Sequence, residues 1–205
     1  MVVGSDEIRA RAREIMTPYW GTAAVIYLVY MVLYAGANAM MAIGTMVLAG
    51  PLSLGLADVF LRIEKGEPIG VETLMGGFND FTRSLVAGLL ISVYVLLWSI
   101  LLIIPGVIAA LGYSMTFFIM KENPSLPAVY ALKASQQMMM GHKARLFELL
   151  FSFIGWILLG ALSFGIAFLW VGPYMHAAVV LFYRDLQADN QTYGFVKEAP
   201  VYRDR

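Results

Sequence analysis

The chain has no cysteine and only two histidines, His142 and His176. The first absence removes disulfides, thiolate metal sites and cysteine nucleophiles, and leaves the redox compartment open. Charge is scarce as well: 14% of residues are Asp, Glu, Lys or Arg against 60% hydrophobic, and the formal net charge is zero. That balance excludes an ordinary soluble domain and a disordered chain. It also offers no overall electrostatic case for nucleic acid or an acidic substrate. No phosphate-cradling glycine loop, His/acid cluster or Ser/His/Asp set is present. No cofactor, metal site or nucleophile is therefore implied, and an enzyme is not expected.

What is present is three long runs without Asp, Glu, Lys or Arg: Ile15–Ala57 (43 residues), Ser84–Met120 (37) and Leu149–Tyr183 (35, with one His). One helix crossing a bilayer core needs about 20 apolar residues. Each run is too long for one span and about right for two. The fold class expected is all-α, a polytopic membrane protein. Six transmembrane helices form three helical hairpins of the same orientation, each preceded by a short amphipathic helix on the cytoplasmic side. The hairpins are placed at about 17–62, 84–121 and 145–187, and the surface helices at about 5–16, 71–83 and 126–141. Residues 1–187 then make one membrane domain, and 188–205 a polar cytoplasmic tail.

Within the first surface helix Ser5 is the expected N-cap, with Asp6 and Glu7 in the first turn where a helix dipole favours anions. Ile8, Ala12, Ile15 and Tyr19 share one face. Ala35-Gly36-Ala37 has the look of a cleavage site. The apolar run before it is long and the N-terminus carries acids among its arginines, so the first span is expected to be retained. Gly36-Ala37-Asn38 is the expected first reversal and Pro105-Gly106 the second, since proline cannot donate a backbone hydrogen bond and glycine tolerates a tight turn. Ser125 is expected to cap the third surface helix, with Pro127 in its first turn. Pro51 and Pro173 predict kinks inside spans two and six. Pro51, Phe60, Arg62 and Pro173, Phe182, Arg184 recur at identical offsets, the mark of parallel membrane repeats. The middle unit fits less well, because its proline sits at the turn.

All 14 Lys and Arg lie outside the uncharged runs, at the ends that six spans would put on one side. The positive-inside rule makes that side the cytoplasm, with both termini inside a cell-membrane protein.

The segments GPLSLG (50–55) with FLRIEKGE (60–67), LLWSILLIIPG (96–106), Tyr113-Ser114, ENPSL (122–126), MMMGHKARLF (138–147), SFIGW (152–156) and FGIAFLWVGPY (164–174) with FYRDL (182–186) run in order through nearly the whole chain. In these the chain resembles the bacterial and archaeal integral-membrane family known as domain of unknown function 975. The resemblance implies six membrane helices and a cytoplasmic N-terminus; the family has no catalytic residues to carry over. More distantly, IIPGVIA followed by a Gly-His-Lys segment is similar to the membrane domain attached to some glycerophosphodiester phosphodiesterases, a domain without the hydrolase's active site.

Six residues stand out as candidates. His176 is an ionisable group within the third run, readable as a proton relay or polar ligand contact. Structurally, it reads as a neutral imidazole bonded to a carbonyl freed by Pro173. Asp58 lies one turn before Arg62: a cation or substrate contact at the cytoplasmic mouth, or an i, i+4 ion pair. His142, Lys143 and Arg145 sit where anionic lipid headgroups or a partner protein would meet them, or merely in an interfacial turn. Two functions are carried forward: a non-enzymatic module binding a partner protein or lipid, and a small transporter or export accessory with a cavity between the repeats near His176.

Overall fold

A computed structural model describes residues 4–39 and 41–193. Among the described residues every regular element is helical. The first third of the chain forms α1 (Ser5–Met16), α2 (Trp20–Ala39), α3 (Met41–Lys65), α4 (Val71–Met75) and a 3-10 helix at Gly76–Asp80. The middle forms α5 (Phe81–Leu101), α6 (Ile103–Tyr113), α7 (Thr116–Glu122) and α8 (Ala128–Met138), and the last part α9 (Lys143–Phe151), α10 (Ile154–Leu162) and α11 (Phe168–Tyr193). Five helical stretches are long and apolar enough to cross a membrane: Trp20–Asn38, Gly44–Lys65, Val71–Ile100, Ile103–Glu122 and Lys143–Leu162. The expected sixth span corresponds to α11, whose Pro173, His176, Arg184 and Asp185 lower its apolar character.

Several boundaries differ from the sequence expectation, each for a local reason. Gly4 rather than Ser5 is the N-cap of α1. Helix α2 continues through Gly36, Ala37 and Asn38, where no proline interrupts it and the Asn38 amide donates to the Tyr34 carbonyl at 2.9 Å. The second reversal falls at Leu102, which is extended, and not at Pro105-Gly106. Pro105 lies in the first turn of α6, where a missing N–H costs nothing. Gly106 serves packing, since a Cβ there would collide with Ser99 Oγ of α5. The expected surface helix at 71–83 is two pieces, α4 and the 3-10 helix, and residues 81–83 already belong to α5. Pro127 takes the cap of α8 in place of Ser125. The expected fifth span is broken at Ser152-Phe153 into α9 and α10. The proposed tail begins inside α11, which runs to Tyr193; residues 194–205 lie outside the described residues.

The core sits at the charged end of the molecule. The second halves of α3 and α11, together with α7, pack side by side, burying Phe60, Phe182 and Tyr183, with Phe118 stacked on Tyr183 at 5.3 Å. The amphipathic faces of the short helices close over them. Ile8, Ala12 and Met16 of α1 are buried, as are Leu74 of α4 and Ala128, Ala131 and Leu132 of α8. Backbones approach closely where glycines allow it: a Cβ on Gly88 of α5 would stand 2.9 Å from the Gly50 Cα of α3. Close approach through small residues is how helices associate where no hydrophobic difference separates lipid from side chain. A break in the second apolar stretch is also sealed. The buried Ser135 hydroxyl donates to the Gly112 carbonyl (2.8 Å) and accepts from the Met115 N–H (3.2 Å), so the interruption between α6 and α7 leaves both groups paired. Away from the charged end, α2, α5, α6 and α10 carry exposed Val, Leu, Ile and Trp side chains, among them Trp98. Aliphatic surface of that extent suits acyl chains, not water.

Candidate functional site

The charged ends of α3, α7 and α11 carry two neighbouring sets of ion pairs, which together form a network across the three helices. Asp58 on α3 is buried. Its Oδ2 lies 2.9 Å from Lys121 Nζ on α7, while Arg62 Nε reaches Oδ1 at 3.3 Å. The i, i+4 pair read from sequence is therefore present, but the shorter contact crosses to another helix. Arg184 on α11 ties the remaining ends together: its Nε lies 2.9 Å from Glu64 Oε2 and its Nη1 2.6 Å from Glu122 Oε1. The other oxygen of Glu122 accepts from the Tyr183 hydroxyl and from the Gln187 amide, both at 2.7 Å. Each pair of the three helices is thus joined by at least one charged contact.

This network escaped the sequence reading apart from Asp58 and Arg62. The signal was position alone: Glu64, Glu122 and Arg184 lie seven, two and one residues past the ends of the three uncharged runs, so they can meet where those ends pack side by side. Two shallow clefts of about 350 Å³ each open beside it. Asp58, Arg62 and Lys121 line both; Lys65, Glu67 and Glu122 complete one, and Glu72, Thr73 and Asn79 contribute to the other. Among the described residues no group of three His, Cys, Asp or Glu is placed to hold a metal ion.

His142, Lys143 and Arg145 separate in the structure. Arg145 pairs with Asp185 and reaches Asp189 Oδ2 at 3.5 Å, and its guanidinium lies over the Phe182 ring. It also donates to His142 Nδ1 at 3.2 Å. Two of the three are therefore occupied by internal contacts. Lys143 is half-buried against Gly112, and its ammonium has no hydrogen-bond or ion-pair partner among the described residues. Spacing of four residues puts Lys143, Phe147 and Phe151 on one face of α9. The two rings stack at 6.0 Å, and both are exposed.

His176 stands apart from all of these. Its ring stacks on Phe60 of α3 (5.2 Å, 19°) and meets Tyr27 of α2 edge-on (5.7 Å). Nδ1 lies 3.0 Å from the Gly172 carbonyl. An i−4 hydrogen bond lost to Pro173 would leave the Leu169 carbonyl unpaired. The histidine's partner is thus not the carbonyl that proline frees but one within reach of His176's own backbone N–H. Neither cleft at the charged end includes His176 in its lining.

Residues 99–190 match the family described as Protein of unknown function (DUF975). The matched segment holds α6 to α10, nearly all of α11, the Lys121, Glu122 and Arg184 members of the network, and the Arg145–Asp185 pair. No curated protein and no solved structure matches the chain.

Proposed function

We propose that this is an integral protein of the cytoplasmic membrane, with both termini and the charged network inside, that acts as a non-enzymatic module binding anionic phospholipid through α9. The observation that carries this reading is Lys143: a half-buried cation without a partner among the described residues, followed along the same helix face by two exposed, stacked phenylalanines. A headgroup phosphate would supply the missing counter-charge, and the rings would lie along acyl chains. A partner protein with an acidic amphipathic helix is the competing occupant. The transporter reading requires a polar path to His176, whose surroundings are the aromatic rings of Phe60 and Tyr27.

The test compares the purified protein in lipid nanodiscs containing phosphatidylglycerol with the same protein in phosphatidylcholine alone. Wild type should melt higher with phosphatidylglycerol and retain it in native mass spectra. Lys143→Gln should lose both effects while keeping the melting temperature seen in phosphatidylcholine. An unchanged phosphatidylglycerol effect in Lys143→Gln would remove lipid binding at α9.

A further inference from the structure

Lys143 has polar neighbours of a particular kind. The floor beneath its side chain is Gly112, the next-to-last residue of α6. A Cβ added there would stand 3.4 Å from Lys143 Nζ and 3.9 Å from Gln136 Cγ, so the ammonium and the stem of the amide flank one point. From α8 the Gln136 amide donates to the Tyr113 hydroxyl at 2.6 Å. Tyr113 is itself fixed: it is buried, and its ring stacks on Tyr94 of α5 (5.7 Å, 18°). Neither the amide nor the phenol has a further hydrogen-bond partner among the described residues. An amide and a phenol that bond each other each keep unused capacity. With the amide as donor, its carbonyl and the phenol O–H stay free; with the amide turned over, its N–H and the phenol oxygen do. Either way a donor and an acceptor are left side by side, which is what an alcohol, itself donor and acceptor, can satisfy.

Two apolar ridges lead away from the same point. Ile104, Ile108 and Gly112 recur at four-residue spacing on one face of α6, and the two isoleucines are 73% and 46% exposed. Lys143, Phe147 and Phe151 repeat that spacing on α9, with both rings exposed. The helices run in opposite senses. Helix α6 leads into α7, which ends at Lys121 and Glu122, whereas α9 starts beside the Arg145–Asp185 pair and leads into the apolar α10. Both ridges therefore leave Lys143 toward the apolar surface, over residues 112 to 104 and 143 to 151, a rise of about 12 Å each. One cation, a hydroxyl-binding pair beside it and two apolar tracks above it make the outline of a phospholipid.

We infer that the corner of α6, α8 and α9 is a site for an anionic phospholipid with a hydroxylated headgroup, phosphatidylglycerol being the simplest. Its phosphate sits on Lys143, its headgroup hydroxyls on the Gln136–Tyr113 pair, and its acyl chains along Ile108–Ile104 and Phe147–Phe151. This rests on the proposed lipid contact of Lys143 and adds to it that the headgroup is read by its hydroxyls and not by charge alone. In phosphatidylglycerol those hydroxyls lie on the second and third carbons beyond the phosphate ester, so a phosphate held at Lys143 delivers them to the neighbouring amide and phenol.

Phosphatidylmethanol separates the two claims, because it carries the same singly charged phosphodiester and no hydroxyl. Full-length protein is placed in phosphatidylcholine nanodiscs containing equal amounts of phosphatidylglycerol and phosphatidylmethanol, and the lipid it retains is read from native mass spectra. Wild type should prefer phosphatidylglycerol to phosphatidylmethanol by about tenfold, the worth of two net hydrogen bonds. Tyr113→Phe, which keeps the stacked ring, and Gln136→Leu should each make the two lipids equal, both still enriched over phosphatidylcholine. Lys143→Gln should lower the retention of both together. Two variants of the hydroxyl-binding pair guard against one misfolding. Equal retention of the two anionic lipids by wild type would overturn the inference and leave the phosphate contact of Lys143 standing. A preference for phosphatidylglycerol that survives Tyr113→Phe or Gln136→Leu would place its hydroxyls elsewhere and overturn it equally. No enrichment of either lipid over phosphatidylcholine would instead remove the lipid contact of Lys143, and this site with it.

Discussion

Lys121 Nζ approaches Asp58 Oδ2 to 2.9 Å, closer than Arg62, which shares a helix with that aspartate and reaches it only at 3.3 Å. The pairing makes Asp58 a connector between α3 and α7. The Asp58 side chain is 9% exposed and that of Lys121 34%, so the ion pair is only partly screened. Partial exposure keeps its worth well below that of a fully buried pair.

Lys121→Met should therefore lower the stability of the purified protein by about 1 kcal/mol, and Arg62→Met by less. In an Asp58→Asn background each cation substitution should cost less than it does in wild type, Lys121→Met showing the larger drop, while Arg62 keeps Glu67 at 3.9 Å. Thermal melting in detergent, run as a double-mutant cycle, reads the coupling. A larger coupling of Asp58 to Arg62 than to Lys121 would show that the local pair dominates.

The turn at Leu102 divides the roles of its two neighbours. Pro105→Ala should be close to silent, because the first turn of α6 has no use for its N–H. Gly106→Ala should cost about 1–3 kcal/mol as the added methyl forces α6 away from Ser99, and Ser99→Gly should restore part of the loss. Monodispersity on size exclusion and melting temperature report both. Greater damage from Pro105→Ala would return the reversal to the Pro-Gly pair.

For His176 the surroundings reverse the ranking that a buried hydrogen bond alone would give. Its acceptor, the Gly172 carbonyl, also faces the backbone N–H four residues on, so losing the imidazole does not strand it. The contacts with Phe60 and Tyr27 are what only a ring supplies, worth about 0.5–1.5 kcal/mol per aromatic pair. His176→Phe should melt close to wild type and His176→Gln below it. Gln above Phe would return the weight to hydrogen bonding.

The sequence carries the helical class, the three uncharged runs and the start of the chain with little loss. The stripe Ile8, Ala12 is buried as its spacing requires, and α1 begins within a residue of its acidic first turn. What it could not carry depends on partners far away in the chain. Proline and glycine at 105–106 signal a turn equally well as a helix start and a packing surface; only Ser99, seven residues back, decides between them. His142, Lys143 and Arg145 look alike as a basic patch. Asp185, some forty residues on, takes Arg145 out of it and leaves Lys143. The expected fifth span reads as continuous in sequence, because hydropathy does not register the interruption at Ser152-Phe153 that divides α9 from α10.

The bridge that Arg184 makes between Glu64 and Glu122 has a consequence in time. A ribosome emits both glutamates long before it reaches the arginine, so during synthesis the charged ends of α3 and α7 carry carboxylates without that counter-charge. Both pairs can form only once α11 has been made, so a chain that stops short of it is marked by two acids awaiting one base.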